Sequence, residues 1–214
     1  LESDQYTLPP QPIVDLGDEV SWIVWDHLQP IIERTNASIK DNIYKASISS
    51  TKPGKRYRLR EIAKMSDEKY LAHQLYRAIG RGFPEVRIEV LIQDAAETYP
   101  EQPAIFNTGF GESIYSGSAI MRPLNIIGIV PTINAHGIHT GTDKFGHMLQ
   151  QGYEYYEDFM DEEEDGESQR DCYLEAVDGG IGQEDGIYGR IPSGTYSNAD
   201  LAANYAGLKF YLNL

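Results

Sequence analysis

Three histidines and several carboxylates lie close together in the segment HGIHTGTDKFGHMLQQGYEYYEDF, residues 136–159. Imidazole and carboxylate groups bind divalent metals and transfer protons near neutral pH, so chemistry is expected here first. Asp143 and His147 are four residues apart, which places them on one face of a helix. His139 lies about one turn before that helix, and Glu154 continues the same face.

Two kinds of chemistry fit these four residues. They could supply three or four ligands to a divalent cation, although their spacing is not a known zinc signature. Alternatively, Asp143 orients His147, and the ring acts as an acid or a base. The simplest interpretation is a solvated polar face, because the opposite face of the predicted helix is apolar. Gly146 and Gly152 indicate instead a close approach by another segment, since glycine is costly inside a helix.

A second candidate site is the segment GFGESIYSGS, residues 109–118, where Glu112 lies between glycines and near tyrosine. A carboxyl group enclosed by such a loop can serve as a general acid. We expect Tyr115, and Tyr188 of the glycine-rich loop 182–190, to bind the substrate. The alternative for Glu112 is an ordinary exposed loop residue.

Composition excludes several classes of function. A net charge of −15 and a pI near 4.6 argue against nucleic acid or an anionic lipid surface as the main partner. The only cysteine, Cys172, excludes an intramolecular disulfide and a cysteine-based zinc cluster, and a packed thiol is expected. The sequence contains no run of 18 apolar residues, so no transmembrane helix is predicted.

Residues 52–64 carry six basic side chains and one acid. This segment is predicted to be a solvated turn and extended stretch, with a local anion site as the alternative.

Hydrophobic periodicity predicts a mainly α fold, in which an extended tether (1–14) precedes a single helical domain (15–214). A small β hairpin or sheet is expected at about residues 113–140, with a tight turn at 135–137. A capping box of Ser197 and Asp200 begins the last helix, which should be buried. Helices are predicted over residues 15–49 (kinked or split at Pro30), 66–80, 84–99, 143–160, 167–178 and 198–214.

Part of the histidine segment resembles a motif of bacterial envelope proteins. GTDKFGHMLQQGY is similar to the D-K-x-x-H-F element of small envelope proteins that include predicted lipoproteins, with matches at Asp143, Lys144 and His147. Met148 stands where those proteins have phenylalanine. The C-terminal SNADLAANYAGLKFYLNL resembles the terminal helix of a similar bacterial family. These resemblances imply an extracytoplasmic setting, with a lipid anchor added through a removed leader, and they imply no activity.

The segment ESIYSGSA, residues 112–119, is similar to the E-S motif of lysozyme-like lytic transglycosylases, and the helix–β–helix order is also similar. The later G-L-M-Q element of that family is absent. The resemblance implies a glycoside hydrolase in which Glu112 is the general acid. Asp143 and His147 would then form the second charged group or a pair of ligands.

Three functions follow from these observations. The first, which the sequence favours, is an envelope hydrolase that acts without a cofactor on a glycan such as peptidoglycan, or on a small molecule. The second is a non-catalytic envelope binding or scaffold protein in which Asp143, Lys144 and His147 are structural. The third is a metal-dependent hydrolase with the ligands His139, Asp143, His147 and Glu154.

Overall fold

The protein is mainly α-helical with a small central β structure, which confirms the predicted fold class. The computed structural model describes residues 2–4, 6–117, 129–185 and 197–214, with the backbone alone at 2, 115, 117 and 180–185. The helices are α1 (Gly17–Ile48), α2 (Lys52–Met65), α3 (Glu68–Ile79), α4 (Arg87–Ala96), α5 (Asp143–Leu149), α6 (Gln151–Asp165), α7 (Gln169–Asp185) and α8 (Asn198–Tyr211). The strands are β1 (Glu2–Ser3), β2 (Ile105–Phe106), β3 (Ile129–Val130), β4 (Thr132–Ala135) and β5 (Ile138–Gly141). Within these described ranges, no helix is long and apolar enough to cross a membrane.

The strands form a parallel pair, β1–β3, and a three-stranded antiparallel sheet in the order β2–β4–β5. The β4–β5 hairpin closes through His136 and Gly137, whose φ angles of 51° and 81° are typical of a type I′ turn. This confirms the predicted turn. The Asp15 carboxylate accepts hydrogen bonds from the amides of both turn residues, at 2.8 and 2.9 Å, and from the Gly17 amide at 2.8 Å. One side chain therefore connects the hairpin to the start of α1.

Helices α1 and α2 pack against each other at the beginning of the chain. Helix α1 continues through Pro30, so the predicted split does not occur. The prediction for the basic segment was wrong, because it forms helix α2 rather than an extended stretch. The Thr51 hydroxyl accepts a hydrogen bond from the Gly54 amide, and Pro53 lies in the first turn, where proline loses no helical hydrogen bond. The long side chains that follow also favour a helix.

Two of the predicted helix starts lie too early in the chain. Ser66 ends α2, and Asp67 caps α3 by accepting a hydrogen bond from the Lys69 amide at 2.9 Å. Helix α4 begins at Arg87 rather than at Pro84. Several neighbouring residues can each start a helix, and tertiary packing selects among them.

The segment predicted to be one amphipathic helix is two helices. Helix α5 ends at Leu149 and α6 begins at Gln151, with Gln150 at φ −95° and ψ −69° between them. Because of this break, the residues before and after Gln150 do not share one continuous face. Asp143 is only 2% exposed, so the prediction of a solvated face is wrong for the first turn of α5.

Tyrosine side chains supply much of the core around α6 and α8. Tyr153, Tyr155 and Tyr156 of α6, and Tyr211 of α8, are at most 3% exposed. The Tyr153 ring stacks on Tyr76 of α3 with 4.2 Å between ring centroids. The last helix is therefore a central element, as predicted.

Helices α6 and α8 approach each other through two glycines. A Cβ atom on Gly207 would overlap the Met148 carbonyl oxygen and would lie 2.8 Å from the Gly152 Cα. A Cβ atom on Gly146 would likewise overlap the Glu89 carboxylate. The close approach that the sequence predicted at Gly146 and Gly152 is therefore present, and it involves both backbone and side-chain atoms.

The N-terminal segment is extended, but its first described residues are not a loose tether. Ser3 and Asp4 are buried, and β1 pairs with β3. The Asp4 carboxylate accepts hydrogen bonds from the Tyr6, Thr7 and Ile114 amides and from the Thr7 hydroxyl. These bonds place residues 3–4 within the folded domain, which corrects the tether prediction there.

Replacing Gly207 with alanine should destabilise the protein by about 1–3 kcal/mol, because the added methyl group meets backbone atoms of α5 and α6 that cannot move independently. Urea unfolding followed by circular dichroism measures this loss. Gly111→Ala is the matched control, since its added Cβ meets no atom within 4 Å. Equal midpoints for the two variants would show that the glycine contact is not tight.

Candidate functional site

The main cluster of buried charge forms where α5 meets α8 and the N-terminal segment. Strand β5 ends at Gly141, and Asp143 and Lys144 follow at the start of α5. A Cβ atom on Gly141 would overlap Ser3 and the Asp143 carboxylate, so only glycine lets the N-terminal segment lie this close. The Ser3 amide donates a hydrogen bond to Asp143 Oδ2 at 3.1 Å.

The Lys144 ammonium group links two buried carboxylates. Its Nζ atom donates to Asp143 Oδ2 at 2.8 Å and to Asp200 Oδ1 of α8. The side chains of both aspartates are at most 3% exposed, and that of Lys144 is 10% exposed. Charges removed from water this completely are stable only when paired, so the lysine makes burial of both carboxylates tolerable.

His147 follows on the same side of α5 and is held between two residues of α8. Its Nδ1 atom lies 3.1 Å from Asn204 Oδ1, and its Nε2 atom lies 3.5 Å from Asp200 Oδ2. An amide oxygen only accepts hydrogen bonds, so this contact places a proton on Nδ1. The Asn204 amide nitrogen in turn donates to the Tyr155 hydroxyl at 3.4 Å. The orientation of the ring is therefore set by a chain of side chains.

The charges around Asp200 determine its protonation. Burial by itself would raise the pKa of this carboxyl group, but the neighbouring His147 and Lys144 and the Ser197 hydroxyl outweigh burial and lower it. Asp200 is therefore ionised in the folded protein at neutral pH. The cluster thus holds at least one firm negative charge beside one ammonium group and one imidazole.

Glu89 of α4 lies beside this cluster. The side chain is buried, and its Oε1 atom accepts a hydrogen bond from the Val86 amide at 3.2 Å. Burial, together with the nearby charge of Asp143, raises the pKa of Glu89 to about 7. Its Oε2 atom is buried without a hydrogen-bond partner, which is consistent with a protonated carboxyl group.

The structure brings together only two of the four residues in the predicted metal set. Asp143 and His147 join Asp200 in a group whose ligand atoms lie within 4.8 Å of one another. His139 is exposed on β5, opposite Asn134 of β4. Glu154 is half-buried on α6, where burial first and the nearby Asp158 and Glu157 second raise its pKa. Neither His139 nor Glu154 belongs to the group.

The glutamate proposed as a general acid lies in a different setting. Glu112 is exposed at the end of a 3-10 turn, Phe110–Glu112. Tyr115 belongs to the next such turn, Ile114–Gly117, and its side chain is outside the described part of the structure, as is the whole of Tyr188. Cys172 is buried, as expected of a packed thiol.

Sequence reasoning missed the partners that complete the cluster. Asp200 was assigned only to the cap of the last helix, and Ser197 does accept a hydrogen bond from the Asp200 amide at 3.3 Å. The Asp200 side chain, however, points to Lys144, which is 56 positions away in the chain. A signal was present in the sequence: Asp200 and Asn204 are polar, four residues apart, on a helix otherwise predicted to be buried.

Lys144→Met should lower the free energy of unfolding by about 3–5 kcal/mol, because it leaves two buried carboxylates without their cation. Chemical denaturation measures the loss. Lys45→Met is the control, since the Lys45–Asp41 pair is about half exposed and should contribute less than about 1 kcal/mol. Adding Asp143→Asn and Asp200→Asn to Lys144→Met should recover part of the stability. A Lys144→Met variant as stable as Lys45→Met would contradict the role of the lysine.

Glu89 should make the protein less stable as the pH rises. Its folded-state pKa of about 7 lies above the 4.5 of an unperturbed glutamate, so between these values the folded protein keeps a proton that the unfolded chain loses. The contribution therefore falls by about 3 kcal/mol across this window. Glu89→Gln keeps the acceptor for the Val86 amide but cannot ionise. The free energy of unfolding of the variant, minus that of wild type, should increase between pH 4.5 and 8. Parallel pH profiles would show that Glu89 does not titrate there.

Comparisons with known proteins give no further guide to this site. No protein-family model, curated protein or solved structure matches the chain significantly. The function is therefore argued from the geometry of the site and from the surface of the molecule.

Proposed function

We propose that the protein is a non-catalytic binding protein of the bacterial envelope, in which the Asp143–Lys144–His147–Asp200 cluster holds the fold. One observation carries this proposal: the Lys144 ammonium group and the His147 ring are directed at other protein groups. Lys144 Nζ lies between two carboxylates, and both ring nitrogens of His147 face side chains of α8. A general acid or base needs an atom within reach of its substrate.

The hydrolase alternative depends on Glu112. Its side chain is exposed on a short turn, where a large substrate could reach it. A general acid of a glycosidase, however, is usually surrounded by groups that keep it protonated, and its partner carboxylate lies about 5–10 Å away. No acid of the buried cluster hydrogen-bonds to residues 110–112 in the described structure. We therefore place the hydrolase second.

A surface for binding lies on α1. Trp22 and Trp25 are one helical turn apart and are 63% and 48% exposed. Tyr44 and Ile43, also exposed, continue the same face of the helix nearer its C-terminal end. Exposed aromatic residues on one helix face indicate an interaction site, because large apolar rings left in contact with water do not stabilise the free protein and would gain from burial against a partner.

The partner we propose is an envelope glycan. The D-K-x-x-H resemblance favours the envelope setting, and the indole rings present flat apolar faces with a polar edge, which suit the ring faces of sugars. The net charge of −15 makes a polyanionic partner unfavourable. Together these features favour a glycan held by stacking rather than by charge.

Wild-type protein should sediment with purified peptidoglycan and release no soluble fragments. The double variant Trp22→Ala/Trp25→Ala should bind at least about 10-fold more weakly, because aromatic anchors supply most of the energy of such interfaces. Tyr205→Ala, which removes an exposed ring from α8, is the control and should bind as wild type does.

Three outcomes would overturn the proposal. Wild-type protein that stays in the supernatant does not bind this glycan. Binding that survives the double tryptophan change does not use α1. Soluble fragments that appear with wild type, and disappear in a stable Glu112→Gln variant, would establish the hydrolase instead.

A further inference from the structure

We propose that Asp143, His147 and Asp200 form a binding site for one divalent transition-metal cation of the zinc type. The structural role of the cluster does not require such a site, so this inference goes beyond the proposed function. It concerns binding only, and no reaction is assigned to the metal.

The first argument is the geometry of the three side chains. One ligand atom from each residue lies within 4.8 Å of the others. Ligand atoms of a tetrahedral zinc ion, with bonds of about 2.0–2.1 Å, are about 3.3 Å apart. Side-chain rotations that bring the ligand atoms up to about 1.5 Å closer, past the Lys144 ammonium group, would therefore close the site. Asp143 and His147 are four residues apart on α5, and the third residue comes from α8. The scaffold that positions them is helical and packed.

The second argument is that two buried carboxylate oxygens are unsatisfied. Lys144 binds Oδ2 of Asp143 and Oδ1 of Asp200. The other oxygen of each carboxylate, Asp143 Oδ1 and Asp200 Oδ2, is buried and has no hydrogen-bond partner. A buried acceptor without a partner costs about 1–3 kcal/mol. Asp200 Oδ2 lies 3.5 Å from His147 Nε2, so a cation bound between these two atoms would satisfy it. The lack of hydrogen-bond partners is an observation independent of how close the residues are.

The third argument is the orientation of the imidazole. Asn204 Oδ1 accepts the proton on His147 Nδ1, and the Tyr155 hydroxyl fixes the Asn204 amide. This leaves Nε2 on the side of Asp200. Histidines that bind metals are usually held in this way, with a second group bonded to the nitrogen that does not bind the ion.

The ligand types select the class of cation. One imidazole and two carboxylates suit zinc and similar transition metals, whereas magnesium prefers oxygen ligands and water. The ammonium group of Lys144 offsets one of the two carboxylate charges, so it competes electrostatically with the ion. We therefore expect moderate affinity in the wild-type protein.

Metal binding is tested on the full chain after treatment with a chelator. Isothermal titration with Zn²⁺ should give one site per chain, and Mg²⁺ at the same concentration should give no heat of binding. The Tm should rise by about 5 °C or more when free Zn²⁺ exceeds the Kd 100-fold. His147→Gln and Asp200→Asn should each weaken zinc binding at least 10-fold. His139→Gln removes an exposed histidine and is the matched control, with unchanged binding.

A second measurement needs no variant. Correlation NMR spectra of the wild-type imidazole groups resolve the nitrogens of the five histidines. Zinc should shift the Nε2 signal of His147 and leave the other four rings unchanged. No binding by wild type, or a zinc-induced shift confined to other histidines, would overturn the inference. These readouts are separate from glycan sedimentation, so this inference and the proposed function can fail independently.

Discussion

The burial of two aspartates around one lysine is the interaction on which this structure depends. Lys144 connects α5 to α8 through Asp200, and Asp143 extends the connection to the amide of Ser3. These residues come from three distant parts of the chain, so each carboxylate stays buried only while the other segments are in place. A charged network of this kind gives less net stability than apolar packing of the same volume, but it strongly disfavours arrangements in which one partner is missing. It therefore specifies one way of docking the last helix.

The glycines around this network serve the same arrangement. Gly141 admits the N-terminal segment, and Gly146 admits the Glu89 side chain. Gly152 and Gly207 allow α6 and α8 to approach at backbone distance. Polar groups in a protein interior need short and well-directed contacts, and larger side chains at these positions would separate the segments that make them. The close packing of backbone against backbone therefore makes the pairing of the buried charges possible.

Much of the architecture could be predicted from the sequence, because it depends on local signals. Short apolar runs and turn residues predicted the β4–β5 hairpin, and the apolar character of α8 predicted its central position. The break at Gln150 could not be predicted, since both halves of the segment have helical periodicity. Helix α2 was missed because its basic residues were interpreted as a solvated strand, although Thr51 and Pro53 are ordinary signals for a helix start.

The candidate site was only half predictable. The i,i+4 spacing of Asp143 and His147 correctly placed them together, but it could not tell a solvated face from a buried one. That difference depends on Lys144 and Asp200, whose contact joins residues 56 positions apart. The capping box predicts only the contact between Ser197 and the start of the last helix, and the Asp200 amide does donate to the Ser197 hydroxyl. It gives no reason to expect the second contact, between the Asp200 carboxylate and Lys144. A single sequence shows that Asp200 and Asn204 share a helix face, but it does not show which distant residues they contact.

The position of Ser3 has a mechanical consequence. Its backbone pairs with β3, and its amide binds the same carboxylate that Lys144 holds. A force that pulls on the N-terminal segment is therefore transmitted to Asp143 and, through Lys144, to the last helix. A segment without these contacts would instead extend before any load reached the core. Tension applied to this segment would load the charged interior directly.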